Sequence, residues 1–403
     1  MDSAMKAAIE AIHASPRHAV LHLAGGASQA LGWLLSVPRA SQTLLEATVP
    51  YTRASMIQLL GRAPQQYASR EVADEMATAA YNRALTLSLP GTLVAGFGVT
   101  GALTTGSPKR GDHRCHISAR THSSLWRYDL TLYKGYRDRF GEDCLSSQLL
   151  IKVMIFMTRL FSSPRLLIYV QAMADVCEIG NTVPVELKTP EEEIRESRLN
   201  YTEDEELEQL IHGNVCMVRY PGEDSKDRRT GRRVVLSGAF NPLHEGHLTL
   251  MSTACTLVQG GSPCFELSAI NADKPALPVH EIRQRVKQFV ERGKTMIVTN
   301  QPFFYKKAEI LPDSTFLVGV DTAMRLVNEK YYGGSRERMM EVLLNVQRLG
   351  CDFMVAGRIV DGVFKTMLDV NVPEEVKEMF SSLPENVFRV DLSSTEIRQK
   401  ASM

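Results

Sequence analysis

"RVVLSGAFNPLHEGH", residues 233–247, decides how the second half of the chain folds. A short apolar run leads into Gly238, an Asn-Pro pair at 241–242 and two histidines three apart, His244 and His247. Glycine lets the chain turn tightly and lets a ligand approach the backbone, and Asn-Pro initiates turns. A helix opening near Glu245 would put both imidazoles on one face, with Gly246 leaving room for a bulky ligand. Its first N–H groups and positive dipole end suit phosphate. Imidazoles donate hydrogen bonds to such a group or carry positive charge beside it. A zinc site would need a third ligand at sensible spacing. His212 and His280 are candidates only by proximity in sequence, so no metal site is assigned.

Outward from this stretch the periodicity alternates. Helical spacing over 246–259 is followed by "CFELSAIN", a helix at 279–292, "TMIVTN" and "TFLVGVD". "TAMRLVNEKYY" and 335–349 are helical, and "CDFMVAGR" and "VFRVD" bracket a last helix near 373–382. Strands alternating with helices predict a Rossmann-like parallel sheet covered on both faces. Ligands then sit at the carboxyl ends of the strands. The first half is also α/β, with helices near 2–14, 27–35, 53–60 and 69–87 and strands near 18–23, 43–50 and 92–99. A hairpin follows over "HRCHISART" and "LWRYDLTLY", then a long helix from about 142.

A chain of 403 residues is too long for one ordinary core. Between the halves, residues 186–209 carry 10 acidic residues against Lys188, Arg195 and Arg198, and "YPGEDSKDRRTGRR" is turn-rich. These features predict a domain over 1–165, a helical and acidic linker over 166–231, and a second domain over 232–403. Lys plus Arg and Asp plus Glu both number 46, so the net charge is zero. No basic block suggests a nucleic-acid groove. The seven cysteines are scattered without a CxxC pair, which speaks against a disulfide framework or zinc knuckle and for a reducing, cytoplasmic setting. The most apolar run is broken by Lys152, Arg159 and Ser162-Ser163-Pro164, so it reads as buried helices and no membrane partner is expected. Nothing in the sequence opposes a homo-oligomer.

"GAFNPLHEGH" resembles the nucleotidylyltransferase signature G-x-F-[DN]-P-x-H-x-G-H, and "LSSTEIR" at 392–398 resembles that superfamily's S-S-T-x-x-R. The two stand in the superfamily's order, at opposite ends of the domain. Ser393, Ser394 and Thr395 are good N-caps, and Arg398 offers a planar fork for phosphate oxygens. The resemblance implies an enzyme in which an acceptor phosphate attacks the α-phosphate of a nucleoside triphosphate and pyrophosphate leaves. His244, His247 and Arg398 would be catalytic. Gly238, Phe240, Asn241, Gly246, Gly319, Asp321, Ser393, Ser394 and Thr395 would bind the nucleotide, with Mg²⁺ accompanying the triphosphate. The S-S-T form resembles the ATP-using branch, and His244 is similar to the nicotinate and nicotinamide mononucleotide adenylyltransferases. On that resemblance Asn271, Lys274, Arg285 and Arg358 would contact the acceptor, placing the chain in NAD biosynthesis. Those enzymes usually carry a Trp after the GxD element, where "NEKYYGG" here offers Tyr331 and Tyr332. A cytidylyltransferase, or a nucleotide-binding regulatory or scaffold protein without turnover, are the alternatives.

In the first half, "LSVPRASQTLLEATVPYTRASMIQLLG", "EVADEMATAAYNRAL" and "VAGFGVTGALTTGSPKRGDH" resemble the CinA-like competence/damage-inducible domain over roughly 16–160. Some members hydrolyse the amide of nicotinamide mononucleotide. Here Ala24 and Gly26 fall where the family's Ser and Thr belong, Met56 replaces a usual Lys, and only Ser28 remains as a nucleophile. The expectation is a scaffold or ligand-sensing domain that has lost the amidase.

Overall fold

The computed structural model describes residues 1–107, 109–159, 185–222, 232–271, 275–360 and 362–388. The chain divides into two compact units, Met1–Ser88 with Thr92–Glu203, and Leu89–Gly91 with Asp204–Met403. Both are α/β, each built on one principal sheet. Among the described residues no helix is long and apolar enough to cross a membrane.

The first unit carries a six-stranded mixed sheet. Its strands are β1 (Arg17–Ala24), β2 (Leu44–Thr48), β3 (Leu93–Ala102), β4 (His113–Arg120), β5 (Ser124–Leu132) and β6 (Glu193–Asn200), in the order β2-β1-β3-β4-β5-β6. The first three pair in parallel and the rest antiparallel. Helices α1 (Ser3–Ala14), α2 (Ser28–Ser36) and α5 (Arg139–Arg159) cover one face around Ile9, Phe97 and Leu150. After α3 (Arg53–Leu60), helix α4 (Arg70–Thr86) lies close against β3, where a side chain at Gly96 or Gly98 would collide with the α4 backbone. The facing helix positions are small: Ala73, Ala77, Ala80 and Ala84 are all buried.

Residues 193–200, read from the sequence as linker, instead form the edge strand β6. An edge strand needs backbone pairing and few apolar contacts. Ile194 packs against the core and Arg198 stacks over the Trp126 ring at 4.1 Å, while the remaining charges face water. Residues 203–220 are likewise structured, as α6 (Glu203–Ile211) and β7 (Met217–Tyr220) of the second unit.

That unit is built on β8 (Arg233–Ser237), β9 (Ser262–Ser268), β10 (Met296–Thr299), β11 (Ser314–Gly319), β12 (Asp352–Ala356) and β15 (Phe380–Leu383), with β7 at one edge. The order is β15-β12-β11-β8-β9-β10-β7, all parallel except β7. Alternate residues point to opposite faces. Leu236, Phe265, Leu267, Leu317 and Met354 meet α6, α7 (Glu245–Leu257) and α8 (Val279–Val290) on one side. On the other, Phe316, Phe353 and Phe380 form an aromatic row with Phe304 of α9 (Phe304–Ile310), beside α10 (Val320–Leu326) and α11 (Arg336–Arg348). A small hairpin of β13 (Arg358–Val360) and β14 (Val363–Lys365) follows β12.

The last expected elements are displaced. The segment near 373–382 is a 3-10 helix, Glu374–Met379, followed directly by the edge strand β15. Val387 and Phe388 of "VFRVD" are not in a strand, and residues 389–391 lie outside the described residues. Phe380 wins the strand position because its ring stacks on Phe353 at 5.1 Å.

Candidate functional site

Strand order reverses at β8: the chain runs outward through β9 and β10, then returns to place β11 on the other side of β8. The crevice at the carboxyl end of β8 is therefore the topological switch point, where open α/β sheets bind ligands. "GAFNPLHEGH" opens into that crevice.

The motif divides into residues that shape the loop and residues that face the crevice. Gly238 donates its N–H to the Glu266 carbonyl at 3.0 Å, and a Cβ there would lie 2.9 Å from the Phe240 ring. Phe240 sits at φ 46°, a left-handed conformation costing on the order of 1 kcal/mol or more for a non-glycine residue. Burial offsets this, since its ring is 1% exposed and packs edge-on to Phe289 at 4.9 Å and Phe265 at 5.8 Å. Expected to contact nucleotide, the Phe240 side chain is instead a core anchor. Asn241–Pro242 is a cis peptide, and Asn241 faces the crevice.

His244 is the N-cap of α7 and His247 lies one turn in; the rings stack at 3.8 Å between centroids. Gly246 between them is buried. The His244 backbone N–H donates to His247 Nδ1 at 3.3 Å, which leaves the His247 proton on Nε2 as an available donor. Burial, with His244 alongside, pushes His247 down to about 4; burial alone lowers His244. Both rings are thus neutral near neutral pH.

Helix α8 holds the loop from the side. Gln288 Oε1 accepts the Leu243 N–H at 2.8 Å and Gln288 Nε2 donates to the Phe240 carbonyl at 3.1 Å. Arg285 Nη1 donates to the Ala239 carbonyl at 3.4 Å, and Glu281 holds its other nitrogen at 2.7 Å. In the sequence Gln288 is marked only by its position three residues beyond Arg285 on one helix face. Beneath the crevice, Lys307 and Glu266 form a buried ion pair at 2.6 Å, with Thr299 Oγ1 donating to the second Glu266 oxygen at 2.6 Å. No spacing in the sequence connects these three residues.

A cavity of about 1160 Å³ opens from Gly238, Ala239 and Asn241 toward Asn271 and Arg285. Its far walls carry Phe303, Phe304, Tyr305, Tyr331 and Tyr332. Tyr332 donates its hydroxyl to the Leu326 carbonyl at 2.8 Å, and burial pushes it up to about 12. His244 and His247 stand beside this cavity without forming its walls. Gly319 caps α10, where a Cβ would meet Asp321 Oδ1 at 2.7 Å; Asp321 pairs with Arg358 at 3.7 Å. The ends of β11 and β12 thus bring Gly319, Asp321 and Arg358 together. Lys274, Ser393, Ser394, Thr395 and Arg398 lie outside the described residues.

Residues 235–400 match the family model described as Cytidylyltransferase-like. Over these residues the chain is similar to the nucleotidyltransferase superfamily. A nucleotidyltransferase-type function follows for that domain in general terms. No curated protein matches the chain. Among solved structures, the N-terminal part is similar to competence/damage inducible protein CihA from Agrobacterium tumefaciens, at 16% identity over 39% of this chain and 94% of that one, with a TM-score of 0.31. It is also similar to a competence-damaged protein (CinA) superfamily protein from Klebsiella pneumoniae, at 9% identity over 39% and 97% of the two chains, TM-score 0.29. A CinA superfamily protein from Escherichia coli matches at 15% identity over 34% and 77%, TM-score 0.24.

In that N-terminal unit the loop after β1 is tied to α5. Asp143 accepts from Ser28 Oγ at 2.8 Å and from the Ser28 and Gln29 N–H groups at 3.1 and 3.2 Å. Ser146 Oγ accepts the Ala27 N–H at 3.0 Å, and Arg139 donates to the Gly25 carbonyl at 3.1 Å. Met56 is buried, 3% exposed. The N–H groups of Ala27, Ser28 and Gln29 and the Ser28 hydroxyl are therefore committed to the protein's own side chains.

Proposed function

We propose that the C-terminal domain transfers AMP from the magnesium complex of ATP to the phosphate of a ring-bearing acceptor, such as nicotinate or nicotinamide mononucleotide. An acceptor phosphate oxygen forms the new bond to the α-phosphorus, the α–β bridge breaks, and pyrophosphate leaves. The observation that carries this is the stacked His244–His247 pair at the start of α7, the helix that follows β8 at the switch point. His247 Nε2–H donates to the transferring phosphate, and Ser393, Ser394, Thr395 and Arg398 clamp the β- and γ-phosphates. The adenosine lies toward Gly319 and Asp321. The aromatic cavity takes the acceptor ring, with the Tyr331–Tyr332 pair and Phe304 supplying the flat surface that a Trp gives in similar enzymes.

Pyrophosphate release by the full chain, with ATP or CTP against nicotinate mononucleotide, nicotinamide mononucleotide and phosphopantetheine, tests this. Release is expected with ATP and a pyridine mononucleotide, and its loss in His247→Ala and Arg398→Ala. ATP binding without release from any pair would establish the scaffold alternative; release with CTP alone would make it a cytidylyltransferase. For the N-terminal unit we propose a non-hydrolytic scaffold or sensing role, because Ser28 and its neighbours are held by Asp143. Ammonia release from nicotinamide mononucleotide would refute it.

A further inference from the structure

We infer that the C-terminal unit holds a second binding site, for an aliphatic monocarboxylate, in a cavity between α7 and the turn joining α8 to β10. Such a site stands whether or not the domain transfers a nucleotidyl group. The cavity measures about 460 Å³, within the size range of small-molecule pockets. It lies at the amino ends of β9 and β10, across the parallel sheet from the switch-point crevice. Among the described residues the two cavities share no lining side chain.

Its walls are apolar with a single charge. Leu248, Met251 and Cys255 recur at helical spacing along α7, and Pro263 and Phe265 share one face of β9. Met251 and Phe265 are 3% and 1% exposed, which closes the inner end, while Ser252 and Thr256 are exposed at the mouth. Lys294, half-buried in the turn before β10, is the one charged residue among those lining the cavity. It has no carboxylate within ion-pair distance among the described residues. Glu291, the acid nearest to it in sequence, is paired with Lys287 at 3.7 Å. A half-buried ammonium beside an apolar wall selects a ligand that is anionic at one end and apolar along the rest. The same walls favour a chain over a flat ring. Phe265 is the one aromatic side chain among them, and its ring is already engaged with Phe240 and Phe289 at 5.8 and 4.9 Å. Met251, unbranched and polarisable, adapts to an irregular apolar group.

Calorimetric titration of the full chain with hexanoate, octanoate, octanol and octylamine tests this. Octanoate is expected to bind saturably at one site, tighter than hexanoate by about threefold per added methylene. Octanol and octylamine should bind about tenfold more weakly or worse, the scale of one charge-assisted contact. Lys294→Met, which keeps the apolar stem, should bring octanoate to the level of octanol and leave octanol unchanged. Thr256→Trp, at the exposed mouth, should block both. Bound octanoate should also slow alkylation of Cys255, mapped by mass spectrometry, without protecting Cys144 of the other unit. Absence of saturable octanoate binding would overturn the inference. So would equal binding of octanoate, octanol and octylamine, wild-type octanoate affinity in Lys294→Met, or an unprotected Cys255.

Discussion

Lys307→Met should unlock the sheet under the crevice. Lys307 and Glu266 are 6% and 0% exposed, and their contact is a single 2.6 Å bond reinforced by Thr299. Methionine keeps the length and apolar stem of the lysine but leaves the Glu266 charge with one hydroxyl donor. Breaking a buried pair from one side costs about 3–5 kcal/mol, because the desolvation already incurred is no longer repaid. Glu266 lies on β9 and its carbonyl holds Gly238, so the loss falls on the strands that shape the motif. Hydrogen exchange reads it directly. A loss of 3 kcal/mol should speed exchange of the Ser262–Ser268 and Met296–Thr299 amides about a hundredfold. The double variant Glu266→Gln/Lys307→Met removes both charges and should recover most of that protection, since replacing a whole buried pair is often neutral or better. Wild-type exchange in the single variant, or a double variant no better than the single, would refute the mutual compensation argued here.

His247 gives a pH prediction with a definite sign. The unfolded chain takes up this proton near 6.5 and the folded chain near 4, so between those values the unfolded state binds more protons. The stability tied to the neutral ring is complete above 6.5 and is lost as pH falls toward 4; an NMR titration of the His247 ring with a midpoint near 6.5 would contradict this. Gly238→Ala should cost about 1–3 kcal/mol through overpacking, because the new methyl meets the Phe240 ring and that ring is wedged between Phe265 and Phe289. Thermal unfolding of the variant checks it, and an unchanged melting temperature would show that the ring gives way.

Periodicity makes the sheet legible wherever strands are buried on both faces. β8 to β12 read as short apolar runs because helices cover both sides. The edges are harder. β6 carries only Ile194 and Leu199 as large apolar residues beside four charged ones, and it resembles a linker because an edge strand draws its order from backbone pairing. At the site, His244, Gly246 and His247 stand out by their types and spacing, and so does the start of α7. Phe240 is misleading for a simple reason: a signature shows that a position matters without saying whether its side chain faces ligand or core. Glu266 and Lys307 have no sequence signal of their own, since their partners lie 33 to 41 residues away and only the fold brings them together.

The neutral state of the imidazoles bears on how charge would be handled in the proposed reaction. With ring centroids 3.8 Å apart, two imidazolium charges would repel by about 4 kcal/mol at an effective dielectric of 20. The stack therefore tolerates one proton above neutrality far better than two. A bound triphosphate would favour protonation of either ring, and the same geometry caps the gain at a single charge. His247 can donate through Nε2 while neutral, so the added proton falls more naturally on His244, the less buried of the two. The rest of the compensation for a triphosphate has to come from the accompanying magnesium and from guanidinium groups. In the proposed reaction the imidazoles would orient and donate, and the bulk charge would be met by a second, arginine-bearing element.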